Sequence, residues 1–375
     1  MQPELFLLLR EYCSLVPARS LSISNDVSFS ELNKFLVKII LLNPHLQRFP
    51  PAEQYQKSFW KALISHLEQL QRTSDDDDEI DDRILERYLS LLPPALPVSG
   101  SSHASIRGEI CGLGLPLRPP PNKSFVTHFW KPIISDTGSV RAVDVSQYQT
   151  TTLHESRTII ESGTTGLRTW SASLHLAEYI IIHSDLIRKK RILELGSGIG
   201  FLGIIVATVQ RLLQQPMPIW LTDGNEVVLA QCRKNVSLDC NLSSSHPDVH
   251  YGNLDWFDAL ENDPRLDGFI KECDPDLVLG ADIVFDPTLI EPLVALLSQL
   301  LRRKDRGRMS IIALTVRKEE TYRGFLTAVQ ERGMTVEELS FERNSEMFIE
   351  TIEGQAARDV RILKLTPKYK VCKDL

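Results

Sequence analysis

The pattern of apolar and polar positions changes along the chain and divides it into regions. From residue 1 to about 95, apolar residues recur every three or four positions, which predicts a region of amphipathic helices. Ser30 and Pro44 mark the expected start and stop of the second helix. Residues 96–124 are rich in Pro, Gly and Ser and predict a linker. The N-terminal helices are therefore expected to form a unit of their own.

A strand-like pattern replaces the helical one over residues 125–165. β-branched residues are concentrated at 140–145 and 158–160, and Asp-Thr-Gly at 136–138 has the composition of a turn. This pattern predicts a small β-hairpin extension, which leads into a C-terminal domain over residues 166–375.

The region from residue 191 onward alternates short apolar runs with helical patterns until the last two runs, which follow one another directly. Such alternation predicts a largely parallel sheet with helices on both faces. The expected fold class is α/β, a seven-stranded Rossmann-like sheet with the helical region and the hairpin extension attached. The predicted strands lie at 192–195, 219–223, 249–256, 276–282, 311–316, 335–341 and 360–365, and predicted helices lie at 201–213, 225–241, 287–301 and 319–331.

A glycine-rich turn joins the first of these strands to its helix. Gly196, Gly198 and Gly200 allow the backbone to bend and to lie close to a ligand, and the following helix directs its free N–H groups towards an anionic group. With Gly203, the last two also match the GxGxxG spacing of dinucleotide-binding folds. Two classes of cofactor therefore fit this turn, a dinucleotide and S-adenosylmethionine (SAM). Glu194 distinguishes them, because E-x-G-x-G-x-G resembles motif I of the SAM methyltransferases. A close-packed turn without a ligand is the third interpretation.

Three further side chains stand at the ends of predicted strands, where open α/β sheets bind ligands. Asp223 is a candidate for accepting hydrogen bonds from ribose hydroxyls, with capping of the next helix as the alternative. Trp256 either lies on an adenine ring or packs in the core. Asp282 ends the most apolar strand, which is expected at the centre of the sheet. We therefore expect Asp282 to stand where the chemistry occurs.

Composition and charge narrow the classes of function. A net charge of −7 and a pI near 5.8 argue against a general nucleic-acid binder. The basic clusters at 188–191 and 302–308 are interpreted as solvated helix ends, and the acidic run at 75–82 as a solvated loop, with contact to a basic partner as the alternative. Six cysteines without a C-x-x-C pair predict neither a metal site nor disulfides, which suits a cytoplasmic protein. The apolar run at 5–9 is too short for a signal peptide, and no run reaches the length of a membrane helix.

Five motifs occur in an order that resembles the seven-β-strand protein-lysine methyltransferases. They are GTTGLRTW, ILELGSGIG, LTDGN, NLDW and LGADIVF. Within that group the chain most resembles the enzymes that methylate eukaryotic elongation factor 2, because it also has ESGTTGLRTW, LTVR at 314–317 and a helical N-terminal region with Phe-Pro-Pro at 49–51. The resemblance implies a methyltransferase sheet, SAM as cofactor and elongation factor 2 as protein substrate. The N-terminal helical region is then expected to recognise that substrate.

The resemblance also assigns roles to individual residues. The family's Asp-x-x-Tyr motif falls on Asp282 and Phe285, so the chain keeps the acid that aligns the substrate lysine and an aromatic wall, but lacks the tyrosine hydroxyl. The alternative is a SAM-binding, non-catalytic or chaperone-like module that holds a translation factor; a small-molecule methyltransferase is weakened by the absence of an evident lid segment. We expect a monomer that binds neither nucleic acid nor membrane. The implied cofactor contacts are Trp170 and Glu194, then Gly196, Ser197 and Gly198 around the amino-acid end, Asp223 at the ribose, Trp256 at the adenine and Ala281 at the floor.

Overall fold

The computed structural model of the chain divides into two compact units, one of residues Gln2–Ser124 and one of residues Phe125–Leu375 with Met1. Most of the predicted linker and the acidic residues 75–78 lie outside the described part of the chain. The described residues are 1–73, 79–93, 123–132, 142–158, 160–161, 163–261, 263–302, 307–341, 347–350 and 359–368.

The first unit is helical, and its longest helix, α4, has 21 residues. Aromatic side chains fill its core: the ring of Tyr12 lies 4.4 Å from that of Phe59, centroid to centroid, and both side chains are buried. The hydroxyl of Tyr55 donates to the carbonyl oxygen of Glu11, which satisfies a polar atom in this core. The helices are α1 (Pro3–Cys13), α2 (Phe29–Phe35), α3 (Pro44–Arg48), α4 (Glu53–Thr73) and α5 (Asp82–Ser90).

The predicted boundaries of the second helix were wrong. The N-cap of α2 is Ser28, not Ser30, because the side chains of Ser28 and Glu31 bond each other's backbone N–H in a capping box. The helix continues beyond α2 as a π-helix over Leu36–Leu41. Pro44 does not simply stop it but begins α3, whose first N–H groups donate to the side chain of Asn43.

The second unit contains the predicted seven-stranded sheet. Its strand order is β5-β4-β3-β6-β7-β9-β8; neighbours from β5 to β7 are parallel, and β9 pairs antiparallel with both β7 and β8. The order reverses between β3 and β6, so the carboxyl ends of these two strands flank the topological switch point. The seven strands are β3 (Ile192–Leu195), β4 (Ile219–Asp223), β5 (Val249–Asn253), β6 (Leu277–Ala281), β7 (Met309–Thr315), β8 (Met334–Leu339) and β9 (Val360–Pro367).

Helices cover both faces of this sheet, as its apolar strands require. In β3, Ile192 packs into the core on one face while Leu193 and Leu195 pack into the core on the other. Helices α6, α7 and α8 contribute to the first core, and α9, α10, α11 and α12 to the second. Their bounds are α6 (Ser171–Ile182), α7 (Phe201–Leu212), α8 (Glu226–Val236), α9 (Asp258–Glu261), α10 (Pro264–Cys273), α11 (Ile290–Leu301) and α12 (Glu319–Glu331).

A two-stranded sheet precedes the main sheet, but its strands are not those predicted. They are β1 (Lys123–Trp130) and β2 (Gln149–Ser156), so the strand expected at 158–160 was wrong, and the turn at 136–138 lies outside the described residues. Asn241 binds the backbone of β2, donating to the carbonyl oxygen of Thr152 and accepting from its N–H, both at 2.8 Å. The helix predicted over 225–241 ends earlier, at Val236. Asn241 therefore lies beyond the helix, where its side chain binds the backbone of β2.

The basic clusters are solvated helix ends only in part: Arg188, Lys189 and Arg302 are exposed, whereas Arg191 and Arg308 form ion pairs. Arg191 pairs with Asp274 at 2.6 Å and with Asp276 at 3.0 Å, and Arg308 is buried and also pairs with Asp274. Burial would raise the pKa of Asp274, but its hydrogen bonds from the two arginines hold that pKa at about 2. None of the described helices has the length and apolarity needed to cross a membrane.

Candidate active site

A crevice of about 450 Å³ opens at the carboxyl ends of β3, β4, β5 and β6, beside the switch point of the sheet. Eight of the nine predicted site residues line it, although they come from five separate segments of the chain. Phe285, nearly half exposed, also lines it. The eight residues are Trp170, Gly196, Ser197, Gly198, Asp223, Trp256, Ala281 and Asp282.

The glycine turn forms one wall of the crevice and requires its glycines. Gly196, Gly198 and Gly200 have φ values of +64°, +55° and +90°, a region that side chains with a Cβ rarely adopt. A Cβ at Gly198 would also lie 3.1 Å from the carbonyl oxygen of Gly166, and a Cβ at Gly196 would lie 2.8 Å from Cγ2 of Ile283. The turn can therefore approach a ligand closely only with glycine at these positions.

Ser197 ties the turn to the next strand. Its backbone N–H donates to the carbonyl oxygen of Thr222 at 2.8 Å, and its hydroxyl accepts from the N–H of Thr222 at 3.0 Å. The hydroxyl of Thr222 donates in turn to the carbonyl oxygen of Glu194 at 2.7 Å. These bonds hold the turn in one conformation before any ligand arrives, which lowers the entropic cost of binding.

Glu194 is the predicted cofactor residue that does not line the crevice. It lies behind the turn, 3% exposed, with its carboxyl close to Gly203 in the first turn of α7. Burial, with the nearby negative charge of Asp223, raises its pKa from 4.5 to about 8. Its Oε2 is buried with no hydrogen-bond partner among the described residues. Glu194 therefore lies behind the lining of the crevice, beside the start of α7, and its contact with the cofactor stays a prediction.

Asp223 connects the second strand to the glycine turn. Its two oxygens accept from the backbone N–H groups of Gly198, at 3.1 Å, and Asn225, at 3.0 Å. Burial raises its pKa. Asn225, not Asp223, caps α8, since it accepts from the N–H groups of Val227 and Val228. Each oxygen of Asp223 keeps a lone pair, which is what hydrogen bonds from ribose hydroxyls require.

Trp170 lies at the start of α6, where it forms another part of the crevice. Its indole N–H donates to the carbonyl oxygen of Thr165 at 3.1 Å, which fixes the ring against the preceding turn. Two guanidinium groups lie over this ring, Arg168 at 6.0 Å and Arg317 at 5.5 Å from its centroid. Both arginines line the crevice.

Asp282 follows β6 directly and is 8% exposed. Its Oδ1 accepts from the N–H of Thr315 at 3.2 Å and from Nη1 of Arg317 at 3.0 Å, while its Oδ2 accepts from Nη2 of Arg317 at 2.5 Å. A bidentate guanidinium–carboxylate pair of this kind fixes both groups in one geometry. The side chain expected to meet the substrate lysine is thus already paired with an arginine.

The prediction from sequence missed Arg168 and Arg317 as crevice residues. Both arginines stand in motifs that carry the family resemblance, GLRTW and LTVR, but the sequence alone assigned them no place in the site. Arg317 stands two residues after β7, so the rule that drew attention to Asp223 and Asp282 would also have indicated it. Among the described residues, no group of His, Cys, Asp and Glu side chains is arranged to hold a metal ion.

The sheet order and the glycine-turn crevice define a Rossmann-like ligand-binding unit. Residues 151–332 match a family model described as lysine methyltransferase. The chain is 39% identical over 193 residues to the protein-lysine N-methyltransferase EFM3 of Chaetomium thermophilum, a match covering 51% of this chain and 54% of that protein. It is 33% identical over 225 residues to the protein-lysine N-methyltransferase EEF2KMT of Bos taurus, covering 53% and 63%. A putative uncharacterized protein of Dictyostelium discoideum is 26% identical over 320 residues, covering 79% and 77%.

The match covers somewhat less than half of the chain, and over residues 151–332 the sequence is similar to this lysine methyltransferase family. The match confirms the resemblance seen in the motifs, the Rossmann-like methyltransferase fold and SAM as cofactor. The matched part of the chain spans 54% and 63% of the length of the two named methyltransferases.

Proposed function

We propose that the protein transfers a methyl group from SAM to a lysine of elongation factor 2. The observation that carries the proposal is the crevice itself: eight predicted site residues from five segments meet at the switch point of a sheet whose sequence matches the lysine methyltransferase family model. Elongation factor 2 enters through the motif resemblance and through relatives named EEF2KMT.

The residues of the crevice fit SAM. Gly196 and Gly198 line the crevice with bare backbone at positive φ, so they can receive the amino-acid end. Asp223 retains acceptor capacity for ribose hydroxyls, and Trp256 offers a ring for the adenine. Bound SAM supplies an electrophilic methyl group on a positively charged sulfur.

The protein's own residues then act on the lysine. Only the neutral amine attacks, and a free lysine, with a pKa of about 10.4, is mostly protonated near neutral pH. The nitrogen lone pair forms the new N–C bond, the electrons of the broken C–S bond remain on sulfur, and a proton passes from nitrogen to water. Asp282 aligns the nitrogen and Phe285 shields it from water, so most of the acceleration comes from positioning.

The helical unit recognises the protein substrate in this proposal. It lies outside the α/β pattern, and the crevice lies within the second unit. A folded translation factor offers a far larger surface than a crevice mouth discriminates. We place the protein in the cytoplasm, as a monomer that contacts its protein substrate rather than nucleic acid or membrane.

Two observations favour a second function, a SAM-binding module that holds a translation factor without methylating it. Asp282 is already paired with Arg317, and Phe285 has no hydroxyl. Incubation of the purified protein with labelled SAM and a cytosolic extract separates the two. The enzyme labels a single band at the mass of elongation factor 2, whereas the binding module labels none while still capturing that factor.

A further inference from the structure

The pair formed by Asp282 and Arg317 bears directly on the protonation of the substrate lysine. Asp282 adopts a positive φ of +58°, and its backbone N–H donates to the carbonyl oxygen of Ala313 at 2.8 Å. Its carboxylate is also held by the N–H of Thr315, at the end of β7, and by Nη1 and Nη2 of Arg317, two residues further along the chain. Backbone and side chain together leave the carboxylate a single orientation.

Arg317 is built into the crevice rather than free in solvent. Its guanidinium lies over the Trp170 ring, and about a third of its side chain is exposed, against 5% for its partner Asp282. The remaining charged residues that line the crevice are Arg168, Asp223 and Asp255. The oxygens of Asp223 accept backbone N–H groups of the glycine turn and α8, as described above, and Oδ1 of Asp255 accepts the N–H of Phe257.

An unpaired carboxylate at this place would oppose the reaction. A negative charge within about 4–6 Å of a lysine nitrogen raises the pKa of that lysine by about one to three, because it stabilises the ammonium form. The ammonium cannot attack. A carboxylate paired with a guanidinium carries no net charge as a unit, yet its oxygens retain lone pairs that accept an N–H from the amine.

We propose that Arg317 is a positioning residue that acts through Asp282, orienting its carboxylate and cancelling its charge so that the bound lysine loses its proton at a lower pH. The inference rests on the proposed lysine methylation. It separates the two roles of the site: Asp282 accepts a hydrogen bond from the nitrogen, and Arg317 prevents that contact from trapping the nitrogen as ammonium.

The test compares Arg317→Gln and Arg317→Lys with Lys318→Gln, a control that removes a neighbouring positive charge outside the crevice lining. Single-turnover methylation of elongation factor 2 is followed from about pH 6.5 to about pH 10, with calorimetric titration of SAM and a melting curve for each variant. We expect Arg317→Gln to move the midpoint of the pH–rate profile upward by about one, so that the rate falls about tenfold at neutral pH and recovers at high pH. Arg317→Lys, which keeps the charge, and Lys318→Gln should keep the wild-type midpoint.

A second readout does not depend on turnover. Arg317→Gln exposes the charge of Asp282, so unmodified elongation factor 2 should bind this variant more tightly at neutral pH, by about two- to tenfold, with unchanged affinity for SAM. A rate loss that is equal at every pH, together with a lower melting temperature, would overturn the inference and leave Arg317 a purely structural tie between β6 and β7. If the wild-type chain binds SAM but labels no lysine, the proposed function fails and the inference falls with it.

Discussion

Glu194→Gln should make the protein more stable at alkaline pH while changing little in mildly acidic solution. Glu194 is buried behind the glycine turn, and its pKa rises from 4.5 to about 8 on folding. Between these two values the folded state holds a proton that the unfolded chain has released, so the contribution of this residue to stability falls as pH rises. Glutamine has the same shape and never ionises.

The size of the stability change follows from the pKa shift of Glu194. Each pKa unit corresponds to about 1.36 kcal/mol, so the full cost of Glu194 at high pH is about 5 kcal/mol, of which about 3 kcal/mol develops between about pH 5.5 and about pH 8.5. The stability difference between Glu194→Gln and wild type should widen by that amount over this range. Because Glu194 lies beside the glycine turn where α7 begins, the gain in free energy of unfolding should appear in the unfolding of the α/β unit.

Chemical denaturation of the unliganded protein, at several pH values across that range, measures the effect. Glu226→Gln, at an exposed position in the first turn of α8, is the matched control and should show a small difference that does not change with pH. A Glu194→Gln variant that is destabilised equally at every pH would refute the reasoning, since it would mean that the carboxylate form is the one the fold uses.

Three further predictions concern the site and the units. Gly198→Val should weaken SAM binding about tenfold or more in calorimetric titration, because it strains the backbone and drives a side chain towards Gly166; wild-type affinity would remove the turn from the cofactor site. Asp282→Asn should leave SAM affinity intact and lower the single-turnover rate about ten- to a thousandfold, as expected on weakening a charged hydrogen bond at a reacting group; an unchanged rate would favour the binding module. A chain that begins at residue 123 should bind SAM normally but lose methylation of folded elongation factor 2, and full activity on that target would argue against recognition by the helices.

Much of the α/β unit could be predicted because its signals are local. Glycines at 196, 198 and 200 have to stand where φ is positive, and acids at 223 and 282 follow apolar runs that form strands. The parallel order then brings those strand ends together without further information. Even α12 was predicted with its observed bounds, since its helical pattern is long and regular.

The remaining features depend on contacts between distant segments. Arg317 meets Asp282 only because Ala281 in β6 pairs with Ala313 in β7, a register that no local pattern contains. Glu194 sits on a short strand with apolar residues on both faces, so the sequence does not reveal which face its side chain shares. The strands β1 and β2 were misplaced because their residues alternate weakly, and β2 is completed by Asn241 from far along the chain.

The proposed function requires that this crevice methylates lysine on a protein. The most direct measurement is a reaction of the purified chain with SAM and purified, unmodified elongation factor 2, followed by mass spectrometry of the peptides. We expect added methyl groups on one lysine, and far fewer at limiting SAM when Gly198→Val replaces the wild type. An unmodified elongation factor 2, in the presence of a wild-type chain that binds SAM, would contradict it.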